Sequence, residues 1–578
     1  MSRNSINHLL DQLDELKSRF GLRESRSVEQ ILSAIVREKA NDAETLIRLH
    51  EILLFVTAYP QNARVKQLSE SLLKSFEKRV VAAREAGVDL SALDHPEVSG
   101  IIGRAVIDTF TYPVVRWLVN REQRAVELDW EWFEDENRLA EAWPRFMPLL
   151  EEDAFVEANV PYKSWLRAAR AGSNSDLVWL VQRFESLAKS SGRSEKEIAE
   201  LFNAQKLYVR WTPSYRASRT GMRLPVRKVF YHQSPLIQRR DISLKDELEK
   251  PPTPLIRLSS QQGKAILDMA REASTARYRE LYGFTNGDPA RVFKSNIGRG
   301  VDIFIIGVPP QRRLPLRAYH AAMIFKNGVP IGYFEGISLF ERMESGFNLY
   351  YTFRDGETAW LYARTLNIFR HLLDVTAFSL DPYQIGYENE EGIESGAFWF
   401  YRKLGFRPTN PAVMKLVLNE ERKMAAKLGY RTSARTLRKL AQGSMIFELA
   451  KPPRKSPNDS SPGDWDRFQI RNIGLAVQRR MAARYRGDVE SFRAAALEEL
   501  ERVLGLSTKD WREVKVTVLS DFSVALSLVG DLSRWNEVEK EALVKIVRAK
   551  ASADESHYLK LMQKHARLRS AIIKLGSQ

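Results

Sequence analysis

Hydrophobic positions recur every three or four residues through the first part of the chain, and this spacing predicts amphipathic helices. The first set lies at residues 6–16, and the pattern returns at 45–58, 65–86 and 98–119. Further segments that contain tryptophan continue it to about residue 205. The pattern therefore predicts a helical domain over residues 1–205.

The period changes from helical to extended in the middle of the chain. A helix is predicted from residue 259, with Ser259 as its cap and Gln262 three positions later. Strands are then predicted over 301–308, 319–326, 329–339 and 347–353. Asn327-Gly328 separates two of them, as in a tight hairpin. A helix, a strand near 376–384 and another helix follow, so the fold class predicted for residues 255–450 is α+β with a mixed sheet.

The end of the chain returns to helices. Helices are predicted over 411–428 and 433–442, and a strand over 444–449 joins the central sheet. Residues 451–464 (KPPRKSPNDSSPGD) have the composition of a linker. Residues 465–578 read as a basic, helical C-terminal domain.

Composition narrows the class of protein. A chain of 578 residues is too long for one hydrophobic core. The formal charge of +16 favours acidic partners such as nucleic acid or a phosphorylated cofactor. The chain has no cysteine, which excludes disulfides and a Cys nucleophile. We expect a cytoplasmic protein without a membrane segment, because the apolar runs are too short to span a bilayer. No His, Asp or Glu spacing suggests a metal.

One stretch of the chain carries Lys and Arg residues without any acidic residue. Residues 201–240 contain no Asp or Glu, and their Lys and Arg residues alternate with aromatic ones. Such a stretch can bind an acidic partner such as nucleic acid. Alternatively, residues 206–254 form a basic connector that lies on the acidic surface of a neighbouring domain.

The most specific motif is Gly396-Ala-Phe-Trp-Phe-Tyr-Arg-Lys-Leu-Gly-Phe406. It resembles the signature of the GNAT-type N-acetyltransferases, with Ala397, Tyr401, Gly405 and Phe406 at the family's positions. The order of the hairpin, strands and helices around it agrees. The resemblance covers the central domain only and implies a GNAT-like mixed sheet between helical N- and C-terminal domains.

The resemblance implies a binding site for acetyl-CoA or another acyl-CoA. In the family, the turn before a helix binds the CoA pyrophosphate, since a helix N-terminus offers unpaired N–H groups. Here the turn is Arg354-Asp-Gly-Glu-Thr-Ala359, with Arg354 and Ala359 at the outer positions. Glu357 stands where the family has Gly, and Gly356 precedes it. Gly356, Glu357 and Thr358 are thus cofactor-binding candidates, and Asp355 and Glu357 bring negative charge. Arg364 or the basic segment would compensate it. Read alone, the turn is a strand-to-helix connection capped by Thr358.

By the same resemblance, Tyr401 is the general acid that protonates the departing thiolate. Seven residues earlier the family often has Asn, where this chain has Glu394. Asn389 and Ser395 are nearby polar substitutes for contact with the pantetheine arm. Glu335 is a candidate base, because its apolar strand setting favours a raised pKa.

These residues predict an acyl-CoA-dependent N-acyltransferase, most simply an N-acetyltransferase. Its acceptor would be the amine of a small molecule or a peptide. Two alternatives stay open: a non-catalytic GNAT-like binding or scaffold protein, and a nucleic-acid-binding protein that uses residues 206–240. The enzyme hypothesis expects the strands near 347–353 and 376–384 to separate, with Tyr401 facing the gap.

Overall fold

The protein is a mixed α+β structure of many helices around one large mixed sheet. A computed structural model describes residues 6–40, 42–131, 138–139, 162–172, 175–449 and 463–578. Within these residues the large sheet has nine strands, and a smaller sheet of three strands lies apart from it.

The strands are numbered in chain order. They are β1 Val106–Asp108, β2 Val126–Leu128, β3 Val209–Trp211, β4 Ile256–Arg257, β5 Val292–Gly298, β6 Val301–Gly307, β7 Ala318–Lys326, β8 Val329–Leu339, β9 Arg342–Leu349, β10 Ala377–Leu380, β11 Arg407–Pro408 and β12 Met445–Glu448. The large sheet has the order β11-β12-β10-β9-β8-β7-β6-β5-β4, and the small sheet the order β1-β3-β2.

The helices of the described residues are numbered in the same way. They are α1 Ile6–Leu16, α2 Leu22–Ile35, α3 Ala43–Ala58, α4 Ala63–Lys74, α5 Phe76–Glu85, α6 Tyr112–Glu122, α7 Tyr162–Arg170, α8 Asp176–Ser190, α9 Glu195–Ala204, α10 Leu244–Glu249, α11 Ser260–Thr275, α12 Tyr282–Thr285, α13 Thr358–Leu373, α14 Glu390–Glu394, α15 Ala397–Lys403, α16 Pro411–Ala426, α17 Ala434–Leu440, α18 Ile470–Tyr485, α19 Val489–Leu504, α20 Glu513–Leu526, α21 Glu537–Lys550, α22 Glu555–Lys564 and α23 Ala566–Gly576.

The centre of the large sheet follows the predicted pattern closely. β7 is buried at every position, and it pairs antiparallel with β8 through the turn at Asn327-Gly328. Both turn residues have positive φ, 47° at Asn327 and 81° at Gly328. A two-residue hairpin turn of this kind needs such φ angles, which explains why Asn-Gly occurs here. The capping box of Ser259 and Gln262 also forms as predicted.

Two predictions near the sheet need correction. The strand predicted over 347–353 is β9, which begins at Arg342 and ends at Leu349; residues 351–353 form a short 3-10 turn. β5 was not predicted, because Asn286-Gly287-Asp288-Pro289 marks a turn just before it. β5 pairs antiparallel with β6.

The N-terminal region is not wholly helical, contrary to the prediction. Residues 98–105 form no helix, β1 follows them, and Pro113 lies in the first turn of α6 rather than at a kink. The helix predicted over 65–86 is divided at Ser75 into α4 and α5. β1 and β2 both pair with β3, which belongs to the basic segment, so residues on either side of position 205 share one sheet.

The core extends beyond the central sheet. One cluster of buried apolar residues runs from Ile6 in α1, through the large sheet, to Ile572 in α23. A second cluster surrounds the small sheet and helices α6, α8 and α9. Most of the predicted linker, residues 450–462, lies outside the described residues. From residue 470 onwards the chain is helical, as predicted.

Candidate functional site

A cavity of about 620 Å³ lies where β9 and β10 separate. The two strands pair in parallel only as far as Glu344 and Ser379, although β9 continues to Leu349. The last three residues of β9, 347–349, line the cavity together with Gln384 and Tyr401. The gap between the strands is therefore a real space in the molecule, and Tyr401 lies beside it.

The N-terminus of α13 forms the polar end of this cavity. Thr358 and Ala359, its first two residues, line the space together with Gly356 and Arg354. The N-cap residue Glu357 makes no capping hydrogen bond, and the N–H groups of Thr358 and Ala359 have no acceptor among the described residues. Thr358 is thus not the N-cap; its hydroxyl donates to the Arg354 carbonyl at 3.0 Å. Free N–H groups and the helix dipole suit this end to an anion.

Cations compensate the two acidic residues of the turn, Asp355 in part and Glu357 more fully. The carboxylate of Asp355 lies 3.1 Å from the Lys17 ammonium. Glu357 does not line the cavity, and its side chain is only 1% exposed. Its carboxylate contacts the Arg299 guanidinium at 2.5 Å and the Lys326 ammonium at 3.6 Å. The sequence suggested repulsion of a pyrophosphate here, and both carboxylates instead have a cation beside them.

The cluster behind the turn is deeply buried. Lys326 is fully buried, its ammonium donates to the Arg299 carbonyl at 2.5 Å, and it lies over the ring of Tyr59. Burial lowers the pKa of Lys326 to about 7, although the Glu357 carboxylate acts in the opposite direction. A side chain at Gly356 would meet the Tyr59 hydroxyl at 2.4 Å, so glycine lets the turn lie against this cluster. The cluster fixes the position of the turn.

Arg354 is held by an acidic residue from a different helix. Its guanidinium contacts the carboxylate of Glu391 in α14, and Glu391 also pairs with Arg279 at 3.3 Å. Arg354 and Glu391 both line the cavity. The Arg354 side chain is thus positioned at the polar end, with part of its charge already compensated.

The other end of the cavity is apolar and uncharged. Phe347, Ala397, Phe400 and Tyr401 line it. The Tyr401 ring packs edge-on against Tyr362 with 5.5 Å between centroids, and its hydroxyl makes no hydrogen bond to any described residue. Burial raises the pKa of Tyr401 above its usual value. The phenol is therefore protonated at neutral pH and retains a proton that it can donate.

Glu335 lies on the sheet face next to the cavity rather than in its lining. It is directly opposite Gly346 on β9, and the Gly346 position faces the side chain of Gln384, which lines the cavity. The Tyr319 hydroxyl donates to the Glu335 carboxylate. Burial raises the pKa of Glu335, and the hydrogen bond from Tyr319 only partly offsets this. A carboxylate in this setting suits proton abstraction.

The two polar substitutes near Glu394 both line the cavity, whereas Glu394 is exposed. The side chain of Asn389 caps α14 through a 3.2 Å bond from the Gly392 N–H and donates to the Tyr383 carbonyl at 2.9 Å. The Ser395 hydroxyl makes only a long 3.4 Å bond to the Gly392 carbonyl. Ser395 is therefore freer than Asn389 to contact a ligand.

The structure also brings residues to the cavity that sequence reasoning missed. Ser18 follows α1, and residues 236–239 belong to the basic segment. Arg364, a predicted source of compensating charge, points elsewhere: it bonds to Thr253 at 2.7 Å and lies 3.8 Å from Glu247. The absence of acidic residues over 201–240 was the available signal, but it did not indicate which cation reaches the cavity.

A second cavity, of about 680 Å³, lies beside the small sheet. Its lining includes Arg124, Glu127 and Arg210, and Arg210 pairs with Asp129. Arg210 and Thr212 of the basic segment line it, whereas none of the residues predicted to bind acyl-CoA or to act in catalysis does.

Comparison with protein-family models, with curated proteins and with solved structures gives no match to this chain. In the described part of the chain, none of the helices has the length and apolar character needed to traverse a bilayer. Within the same residues, no group of three or more acidic or histidine side chains is placed to hold a metal ion. The residues that line the cavity between β9 and β10 are therefore the basis for a functional proposal.

Proposed function

We propose that this protein is a cytoplasmic acyl-CoA-dependent N-acyltransferase with a GNAT-like central domain. It transfers an acyl group, most simply acetyl, from the CoA thioester to the amine of a small molecule or a peptide. The observation that carries the proposal is one continuous cavity between β9 and β10. This cavity joins the free N-terminus of α13 to the buried hydroxyl of Tyr401.

The two ends of the cavity match the two parts of an acyl-CoA. The pyrophosphate is a dianion that suits the free N–H groups at Thr358 and Ala359, with Arg354 beside them. The pantetheine arm and its thioester are far less polar and suit the apolar end at Phe347 and Phe400. The arm would pass Ser395 on its way to Tyr401.

Transfer requires one bond to form and one to break. The amine nitrogen attacks the thioester carbonyl carbon, and the tetrahedral intermediate then expels the CoA thiolate. Tyr401 donates its phenolic proton to the departing sulfur, which gives the CoA thiol. Glu335, which lies beside the cavity rather than in its lining, accepts through an intervening water the proton that the amine loses, and solvent returns a proton from Glu335 to Tyr401. The products are an amide and free CoA, with no other reactant.

Some cations of the basic segment are used inside the protein rather than for nucleic-acid binding, whereas Lys206, Arg216, Arg227, Lys228 and Arg240 are exposed. Arg219 is buried and pairs with Glu51 at 2.9 Å, and Arg210 pairs with Asp129 at 2.5 Å. Arg223 is half-buried, and desolvation lowers its pKa to about 10. Cations used inside the protein do not contact an external phosphate backbone.

Calorimetric titration of the purified protein with acetyl-CoA tests the proposal. Binding at micromolar levels, followed by labelled product from a mixture of amines, is the expected result. The absence of acetyl-CoA binding would reject the proposal. Binding without turnover for any amine would instead identify a non-catalytic acyl-CoA-binding protein.

A further inference from the structure

Residues 236–239 form one wall of the polar end of the cavity, although they lie outside the central region that carries the GNAT-like motif. Leu236, Ile237, Gln238 and Arg239 all line the space. Leu236 is buried at 4% exposure and joins the main hydrophobic core. The segment is therefore a fixed part of the cavity rather than a loose connector.

Glu357 attaches this segment to the turn before α13. Its carboxylate accepts a hydrogen bond from the Ile237 N–H at 3.2 Å, while Arg299 and Lys326 neutralise its charge. Glu357 thus holds the 236–239 wall against residues 354–359. Glu357, which stands where the family's turn has Gly, therefore brings a second chain segment to the cavity.

Arg239 is the cation that this wall brings. Its side chain is partly exposed, and it forms no ion pair with any residue that the structure describes. Arg354, on the adjoining 354–359 turn, is already bound to Glu391. The neighbouring Arg240 differs in three ways: its side chain is 82% exposed, it lies 3.9 Å from Asp241, and it does not line the cavity. Arg239 therefore brings to a cavity that already suits an anion a cation without a carboxylate partner among the described residues.

We propose that residues 236–239 form a second phosphate site, in which the Arg239 guanidinium binds the 3′-phosphate of coenzyme A. This inference rests on the proposed function. Coenzyme A carries a pyrophosphate on the 5′ side of its ribose and a phosphate monoester on the 3′ side, so a bound molecule presents two anionic groups close together. The N-terminus of α13 takes the pyrophosphate, and Arg239 on the adjoining wall takes the monoester. A guanidinium is suited to this role because it binds a phosphate through two parallel hydrogen bonds.

The test compares coenzyme A with dephospho-coenzyme A, which lacks only the 3′-phosphate. Calorimetry on the wild type, Arg239→Gln and Arg240→Gln gives the dissociation constants of both ligands. The wild type should bind coenzyme A about tenfold or more tightly than dephospho-coenzyme A, as expected for a charge-assisted contact. Arg239→Gln should lose this preference by binding coenzyme A more weakly, with dephospho-coenzyme A unchanged. Arg240→Gln should behave as the wild type.

The outcomes separate the two proposals. If Arg239→Gln keeps the full preference for coenzyme A, or if the wild type has none, the second phosphate site is wrong while the acyltransferase proposal stands. If the wild type binds neither ligand, the proposed function fails and this inference fails with it. Both substitutions lie at the surface, and equal thermal unfolding of the three proteins checks that each remains folded.

Discussion

The two ends of the cavity are built in different ways. The apolar end around Tyr401 comes largely from one short helix, α15, whose Tyr401 ring packs against Tyr362 of α13. The polar end is assembled from four separate parts of the chain: Ser18, residues 236–239, the 354–359 turn and α14. A local motif specifies the first, whereas tertiary packing brings the second together. Chemistry at the apolar end and anion binding at the polar end should therefore respond differently to substitution.

The largest expected effect is at the apolar end. Tyr401→Phe removes the proposed proton donor and keeps the ring packing, so on the acyltransferase proposal turnover should fall by about 100- to 10,000-fold while acetyl-CoA affinity is unchanged. Steady-state rates and calorimetry measure the two quantities. Tyr387→Phe removes a hydroxyl from an exposed tyrosine and is the matched control. Equal turnover of Tyr401→Phe and wild type would remove Tyr401 from the mechanism.

At the polar end, the largest loss of stability should come from Glu357, the buried residue that holds the 354–359 turn in place. Glu357→Ala leaves the buried Lys326 ammonium without its carboxylate, and breaking a buried pair in this way costs about 3–5 kcal/mol of unfolding free energy. Urea denaturation measures the loss. Asp355→Ala removes an acid from the same turn, but its side chain is 68% exposed, so its effect should be far smaller. Similar losses for both variants would show that burial does not distinguish the two acids.

Glu335 gives a pH-dependent test. Only its carboxylate form accepts a proton, and burial raises its pKa. Activity should therefore rise with pH through a range above that of an ordinary glutamate, with a pKa above about 4.3. Glu335→Gln should lower the plateau rate by about 100-fold and abolish this rise. Glu344→Gln, on the same sheet face, should keep both. An unchanged pH profile in Glu335→Gln would exclude Glu335 as the base.

The smallest effect concerns the charge at the mouth of the polar end. Asp355 lines the cavity, and Lys17 only partly compensates its charge because the aspartate is largely exposed. Asp355→Asn should tighten acetyl-CoA binding by at most about fivefold, since a solvated charge at a few ångströms contributes about 1 kcal/mol. Calorimetry at low and high salt checks this, and the gain should shrink as salt rises. Weaker binding by Asp355→Asn would mean that the carboxylate assists the ligand.

Much of the central sheet could be predicted from the sequence because its signals are local. Asn327-Gly328 marks the turn between β7 and β8, and Ser259 with Gln262 marks the start of α11. β5 was missed because a cluster of turn residues precedes it. The small sheet was missed because each of its strands has only three residues, too few for alternation to show.

The residues of the candidate site show the same contrast between local motifs and tertiary packing. Tyr401 and the turn at 354–359 were found because each belongs to a contiguous motif. Arg239 and Ser18 were not found, since nothing near them in the sequence shows that they face the cavity. The orientation of Glu357 was misjudged for a similar reason. Its partners Arg299 and Lys326 lie far from it in the sequence, and only the folded chain shows that they contact it.

The contacts between the first helices and the central sheet also bear on how the chain is made. The Asn327 side chain, in the β7–β8 turn, donates to the carbonyl of Ala58, which lies 269 residues earlier. Thr352 similarly contacts Glu51 across 301 residues. On the ribosome, α3 must therefore wait for much of the central sheet to be synthesised before its apolar surface is covered. Contacts over such separations form slowly, and the exposed surface is prone to aggregation meanwhile. The N-terminal helices should thus depend on chaperones during synthesis more than the C-terminal ones do.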